Sequence, residues 1–153
     1  MGRFFYILTQ ITWGFPQTLL GFVVFLTQIR RPHSVFHGAV VTTWSLRSSL
    51  SLGLFMFIGE KAPYCRNLDA PDEEILERVL VHEFGHTVQS LVLGPLYLPV
   101  IGLPSIVWAK CPPLVRKRGE QLVSYYSFWP ERTANWLGER VLRRPSMGQA
   151  LVD

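Results

Sequence analysis

Two long runs without a charged side chain constrain this sequence most. The first covers residues 4–29 and the second covers residues 84–109. A helix rises about 1.5 Å per residue, so about 20 helical residues cross the hydrocarbon core of a membrane, and each run is long enough to do so. Because Pro16 interrupts the first run, we predict a kinked transmembrane helix over 4–29. A signal peptide is the alternative, but the run is too long for one and lacks a clear cleavage site.

The second run is divided by Pro95, Pro99 and Pro104. Proline removes a backbone donor and clashes with the preceding turn, so this stretch cannot form one regular helix. We expect a proline-broken apolar segment over 93–110, either re-entrant in a membrane or buried as a loop before a short helix. Basic residues follow both runs, at 30–31 and at 110–118. These patterns predict an integral membrane protein, multi-pass or single-pass with a re-entrant segment, whose basic clusters face the cytoplasm.

The composition narrows the class of protein further. The chain has 153 residues, which suits a single domain over 1–153, and 17% of them are charged, against roughly 25% in soluble domains. Aromatic residues make up 13%, which excludes a disordered chain, and two cysteines cannot form a disulfide scaffold. The net charge is +4, and the basic residues flank apolar runs. We therefore expect a lipid membrane as a partner and no nucleic acid.

The stretch between the two runs has the alternation of β-strands. Over 49–58, Leu50, Leu52 and Met56 alternate with residues that would face the opposite way, which is the period of a strand with two distinct faces. With the apolar stretch before it, this predicts a β-hairpin over 34–59. At the other end of the chain, we expect the tail after Pro145 to be frayed.

A helix over 72–92 carries the residues with the clearest chemistry. Pro71 and three acidic residues after it are typical of a helix start. The helix contains His82-Glu83-Phe84-Gly85-His86, the HExxH pattern. Its i, i+4 spacing puts both imidazoles on one face, where they can bind one Zn²⁺, with Glu83 beside them as a proton acceptor. The alternative is a pair of ordinary core or surface histidines, but ionisable groups in an apolar stretch are costly without a function.

Two histidines leave a third ligand to be found. Glu131 is a candidate, in a C-terminal helical region over 119–144, where Pro130 suits a helix start. Asn135 lies one turn further on the same face and could hydrogen-bond a ligating histidine. Glu131 could also be an ordinary acid of a first helical turn. Other candidates for the ligand are Glu120, Glu139, His37 and Cys111.

The HExxH pattern followed by Glu131-x-x-x-Asn135 resembles the gluzincin arrangement of zincin metallopeptidases. The resemblance implies that His82, His86 and Glu131 bind zinc, that Glu83 is the catalytic base and that Asn135 supports a ligand. Gluzincins usually have Asp where this chain has Asn135. They also commonly have an edge strand that pairs with an extended substrate, and the strand at 49–58 stands in that order. Site-2-type proteases resemble the chain less, because they need a downstream aspartate ligand and only Asp153 follows His86.

Together these patterns predict an α+β, membrane-embedded, mostly helical zincin-like domain with a β-hairpin before the HExxH helix. The expected function is a membrane-associated zinc metallopeptidase that hydrolyses a peptide or protein substrate with zinc-activated water. Tyr125 and Tyr126 could stabilise an oxyanion, or could belong to an interfacial aromatic belt. A non-catalytic zinc-stabilised protein or partner-binding module is the alternative, and so is a metal-free scaffold. The oligomeric state stays open.

Overall fold

The chain folds as six α-helices and one four-stranded sheet over residues 2–152, the part that this computed structural model describes. The helices are α1 (Arg3–Thr12), α2 (Phe15–Thr27), α3 (Asp72–Leu93), α4 (Leu103–Lys110), α5 (Pro112–Gln121) and α6 (Trp129–Leu142). The strands are β1 (His33–Phe36), β2 (Ala39–Trp44), β3 (Leu50–Leu52) and β4 (Phe55–Gly59). Short 3-10 turns occupy Gly94–Leu96 and Tyr125–Ser127, and a π-helical turn occupies Leu98–Gly102.

The N-terminal apolar run forms two helices where one was predicted. The axes of α1 and α2 are bent by 95°. Pro16 lies in the first turn of α2, where its missing N–H breaks no helical hydrogen bond, so the chain can turn sharply there. The predicted transmembrane helix over 4–29 is therefore wrong.

The membrane-embedded part of the predicted fold class is also corrected. Within residues 2–152, no single helix is both long and apolar enough to cross a membrane. The pair α1–α2, and α3 with the segment that ends at Lys110, have the necessary length and composition only as bent pairs. The chain is an α+β domain with a mixed sheet, and its localisation stays a prediction.

The sheet has the order β1-β2-β4-β3, with β2 and β4 parallel and the two outer pairs antiparallel. The predicted single hairpin over 34–59 is wrong, because β1–β2 and β3–β4 are separate hairpins. The predicted strand over 49–58 is interrupted at Gly53, which has a φ of +60° and packs so closely on Thr18 that a side chain would not fit. The turn places β3 at the sheet edge and leaves β4, all of whose residues are buried, in the interior of the sheet.

Helices cover both faces of this sheet. Met56 and Ile58 of β4 pack with residues of α1 and α3, and Phe55 and Phe57 pack with α2. The alternation seen in the sequence therefore describes the two faces of β4 correctly, although not its length. The stacked layers hold α3 against the edge strand β3, which positions the HExxH residues beside it.

The segment after α3 is broken at its prolines, as expected. Gly94 ends α3 with a φ of +53° and lies against the ring of Trp13. Pro95, Pro99 and Pro104 each stand in the first turn of a new helical element, where the missing donor costs least. The chain bends by 118° between α3 and the part that leads to Lys110.

The C-terminal tail is packed over residues 146–152, so the prediction that it is frayed is wrong there, and Asp153 lies outside the described residues. Ser146, Met147 and Ala150 are buried. The Leu151 N–H donates to Asn67 Oδ1 at 2.7 Å, and Val152 bridges to Cys65. These partners lie more than 80 residues away in the sequence, so local patterns gave no sign of them.

Candidate metal centre

Two glycines allow α3 and α6 to approach each other at backbone distance. A Cβ on Gly85 would overlap the carbonyl oxygen of Ala134, and a Cβ on Gly138 would overlap that of Val81. The neighbour for which Gly85 leaves room is therefore helix α6. The close approach brings the HExxH face of α3 directly against the first turns of α6.

His82, His86 and Glu131 converge between these two helices. Their potential ligand atoms all lie within 4.8 Å of one another. Glu131 Oε2 is 3.2 Å from His82 Nε2 and 3.3 Å from His86 Nε2. All three side chains are buried, and Glu131 is fully so. This group could hold a metal ion.

Asn135 orients the first histidine. Its Oδ1 lies 2.8 Å from His82 Nδ1, and its Nδ2 donates to the Gly148 carbonyl at 3.0 Å. The second bond fixes which way the amide points, so His82 Nδ1 must carry the proton that Oδ1 accepts. The ring therefore presents Nε2 to the metal centre, and the packed C-terminal tail takes part in holding it.

Gln89 orients the second histidine in the same way. Its Oε1 accepts from His86 Nδ1 at 2.7 Å, and its Nε2 donates to the Pro130 carbonyl and to Thr133 Oγ1. Sequence reasoning missed this residue. Its position one turn after His86 was the available signal, because side chains at i and i+3 are neighbours on a helix.

The donor set fits a bound cation. Both imidazoles direct Nε2 at Oε2 of the Glu131 carboxylate, and atoms with lone pairs at this distance repel one another unless positive charge, from a proton on a ring or from a metal ion, lies between them. Glu131 Oε1 is buried and has no hydrogen-bond partner of good geometry among residues 2–152, although the Tyr125 hydroxyl interacts with the carboxylate. Such an orphaned carboxylate oxygen needs a partner, and a metal ion would provide one.

The electrostatics also favour positive charge at this point. Burial opposes a charge on His86, but the Glu131 carboxylate outweighs it and raises the pKa of His86 to about 9. Burial likewise opposes ionisation of Glu131, yet the two histidines lower the pKa of its carboxyl below the usual range. The carboxylate is therefore anionic at neutral pH and available as a ligand.

Glu83 lies on the same helix and is held by the sheet edge. Ser51 of β3 donates its hydroxyl proton to Glu83 Oε2 at 2.7 Å and also approaches the Glu83 carbonyl oxygen at 3.0 Å. The Tyr97 hydroxyl donates in turn to the Ser51 carbonyl at 3.1 Å. Neither Ser51 nor Tyr97 was a candidate from the sequence, since their contact with Glu83 depends on the sheet order and on the bend after α3.

Three tyrosines surround the acidic groups. The Tyr126 ring packs edge-on against His82, with centroids 4.9 Å apart, and Tyr125 packs on Tyr126. Burial, reinforced by the nearby carboxylates of Glu83 and Glu131, raises the pKa of Tyr97, Tyr125 and Tyr126 well above the ordinary value. All three hydroxyls therefore stay protonated and can donate hydrogen bonds. The oxyanion role of Tyr125 and Tyr126 stays a prediction.

The other candidates for the third ligand lie elsewhere. Glu120 is exposed and faces Arg116, and Glu139 accepts hydrogen bonds from Ser146. His37 packs on Phe84, and Cys111 stands at the junction of α4 and α5. Among the described residues, only Glu131 joins the two motif histidines.

Comparison with known proteins adds no family to this picture. No family model, curated protein or solved structure matches the chain. The resemblance to gluzincins therefore rests on two short motifs and on the geometry described above.

Proposed function

We propose that the chain is a zinc-dependent metallopeptidase. The observation that carries the proposal is the convergence of His82, His86 and Glu131 with both Nδ1 atoms already bonded to amide oxygens. Two imidazoles and one carboxylate are a donor set that catalytic zinc uses, with a further position open to water or substrate. When bound there, zinc would act as a Lewis acid that polarises a carbonyl and lowers the pKa of water.

The remaining residues have roles that follow from their contacts. Ser51 engages Oε2 of Glu83, so we assign to Oε1 the transfer of a proton from water to the leaving amine. The hydroxyls of Tyr125 and Tyr126, kept protonated by burial, are the proposed donors for a developing oxyanion, whereas the Tyr97 hydroxyl donates to the Ser51 carbonyl. Asn135 and Gln89 keep both imidazoles in the tautomer that can bind metal.

A structural zinc site is the second candidate, favoured by the burial of the whole group. His82 is 3% exposed and Glu131 is 0% exposed, and an open catalytic centre must admit a substrate. A structural zinc usually has four protein ligands, however, and only three donors converge within residues 2–152. The presence of Glu83 beside them also favours catalysis, because a structural site has no use for a proton acceptor.

One set of variants distinguishes the catalytic zinc site from the structural zinc site. We expect about one zinc ion per chain in the purified protein, lost in His82→Ala and in Glu131→Ala and retained in the matched exposed variant Glu120→Ala. Glu83→Gln should retain the zinc and lose about 10²–10⁴-fold of the hydrolysis of a fluorogenic peptide mixture. Zinc in every variant, or none in the wild type, would contradict the metal site. Zinc without any peptide hydrolysis would support the structural site.

A further inference from the structure

The first two helices place their polar side chains inward and their apolar side chains outward. Gln10 and Gln17 are both 0% exposed. On the opposite side, Phe4 and Phe5 are 70% and 64% exposed. A helix on a water-facing domain normally has the reverse arrangement. We call the apolar side the outer face of α1–α2, and its members include Phe4, Phe5, Ile11, Leu19, Leu20 and Val23.

Hydrogen bonds to α3 fix this orientation. Gln10 Nε2 donates to the Thr87 carbonyl at 2.9 Å, and Ser90 Oγ donates to Gln10 Oε1 at 2.8 Å. Gln17 Nε2 donates to Ser90 Oγ at 2.7 Å and to the Gly94 carbonyl at 3.0 Å. Rotation of either helix that buried its apolar residues would leave these amides unpaired. The apolar side must therefore meet something other than the rest of this chain.

The size of the face calls for an apolar partner. More than ten large apolar side chains of residues 4–29 are exposed, whereas large contiguous apolar patches are rare on monomers in water and mark interaction sites.

The charges around the face identify the partner. Residues 1–59 contain no Asp or Glu, while Arg3 begins α1 and Arg30 and Arg31 follow α2. Arg31 also pairs with Glu60, and both are partly exposed.

An anionic lipid surface satisfies both features. Aliphatic and aromatic side chains enter the acyl region, and arginines at the ends of the helices meet the phosphate groups. A second copy of the chain would bring its own arginines to the interface, where like charges repel. The helices have 10 and 13 residues, so they extend about 15 and 20 Å, less than the roughly 30 Å of the hydrocarbon core.

We propose that the outer face of α1–α2 docks on an anionic lipid surface and inserts into one leaflet without crossing it. This inference is independent of the proposed peptidase function, because it depends on α1 and α2 and not on a metal.

Vesicle flotation tests the docking directly. The full chain, purified in mild detergent, is transferred by detergent removal to preformed vesicles of phosphatidylcholine, with or without phosphatidylglycerol. The test variants are Leu20→Glu and Val23→Glu, and Leu46→Glu is the control, since Leu20 is 48% exposed and Leu46 is 53% exposed but lies outside the helices. Circular dichroism confirms that each variant is folded.

We expect wild type and Leu46→Glu to float with the anionic vesicles. Each helix variant should bind the vesicles at least about tenfold more weakly, because a charged side chain replaces an apolar one that would enter the acyl region of the lipid. Removal of phosphatidylglycerol or added salt should weaken binding of the wild type. Equal flotation of all variants would overturn the proposal. So would a stable dimer by light scattering that leaves the wild type unbound, which would identify a second copy as the occupant. Labelling of Cys65 and Cys111 by an impermeant thiol reagent should reach the same extent in intact vesicles as after detergent solubilisation, and a loss of labelling in intact vesicles at only one of the two would contradict one-leaflet docking.

Discussion

The orientation of both motif histidines depends on amide side chains. The side-chain amides of Asn135 and Gln89 each donate one N–H to a backbone carbonyl, of Gly148 and Pro130 respectively. Their amide oxygens accept hydrogen bonds from the imidazoles of His82 and His86. An amide oxygen can only accept, so it selects one tautomer of the ring without adding a charge. Gluzincins usually have Asp at the position that corresponds to Asn135. An Asp there would add a negative charge beside the histidine, whereas the amide of Asn135 adds none.

Removal of that amide should weaken metal binding. In Asn135→Ala, His82 loses its partner and can adopt the other tautomer, so we expect zinc affinity to fall about 10–100-fold. Chelator competition measures this directly. Gln89→Ala should behave similarly through His86, while Gln121→Ala, on the exposed surface, should leave the affinity unchanged. Equal affinities in all four proteins would show that the amides do not orient the ligands.

At the scale of elements, the packing of α3 against α6 determines the centre. Gly85 of α3 lies against the backbone of α6, and Gly138 of α6 lies against the backbone of α3. Neither position has room for a methyl group. Because the neighbouring atoms are backbone atoms, the helices must separate if either glycine acquires a side chain. Separation would move Glu131 away from both histidines.

We therefore expect Gly85→Ala and Gly138→Ala to reduce stability by about 3 kcal/mol or more and to lose the metal, because overpacking at a helix contact forces the backbone apart. Gly119→Ala is the matched control. It also lies in a helix, but nothing stands within 4 Å of its added Cβ. Alanine there should stabilise the protein by up to about 1 kcal/mol. Thermal unfolding and zinc content measure both effects, and similar results for the three variants would contradict the close contact.

The segment after α3 closes the centre. Tyr97 is buried and bonds to Ser51 on the edge strand, and Trp108 of α4 donates to the Tyr125 carbonyl at 2.9 Å. Leu96, Leu103 and Ile106 of the same segment are exposed, so few apolar contacts hold it down. Tyr97 thus ties this segment to the strand that bonds to Glu83, and the proposed peptidase function requires that the segment opens locally to admit a substrate.

Tyr97→Phe should make that opening easier. The variant keeps the ring and removes one hydrogen bond of about 1 kcal/mol, so zinc release to excess chelator should become about fivefold faster. Tyr64→Phe, an exposed tyrosine, is the control. An unchanged release rate in Tyr97→Phe would show that the hydroxyl does not hold the segment closed.

At the scale of the whole molecule, the C-terminal tail connects the loop before α3 with the candidate metal centre. Residues 146–152 pack on the loop before α3, and the Gly148 carbonyl holds the Asn135 amide. Truncation after Pro145 should therefore lower both the stability and the zinc affinity, the latter by about 10-fold through loss of the support to His82. Isothermal titration of the truncated protein with zinc checks this. Gln149→Ala, which keeps both Gly148 and the Gln149 carbonyl that accepts from Asn67, should retain the affinity.

The sequence was informative where the determinants are local. The HExxH helix runs from Asp72 to Leu93, close to the predicted 72–92, because its start residues and periodicity lie within one segment. Glu131 was found because Pro130 indicates a helix start. The run over 4–29 was misassigned because its length and lack of charge indicated one membrane-crossing helix, whereas a new helix starts beside Pro16 and the side chains of Gln10 and Gln17 bond to α3, more than 70 residues away. The sheet order likewise depends on the parallel pairing of β2 with β4, which no local pattern specifies.

One turn of α3, residues 86–90, contacts α6 on one side and the helices α1 and α2 on the other. His86 and Gln89 face α6, while Thr87 and Ser90 hold Gln10 and Gln17 of the first two helices. A force that displaces α1–α2 therefore acts on the same few peptide units that fix His86. If a metal bound by His86 also favours one position of this turn, a ligand of the outer face that favours a position changes the affinity for that metal, and the metal changes the affinity for the ligand by the same factor.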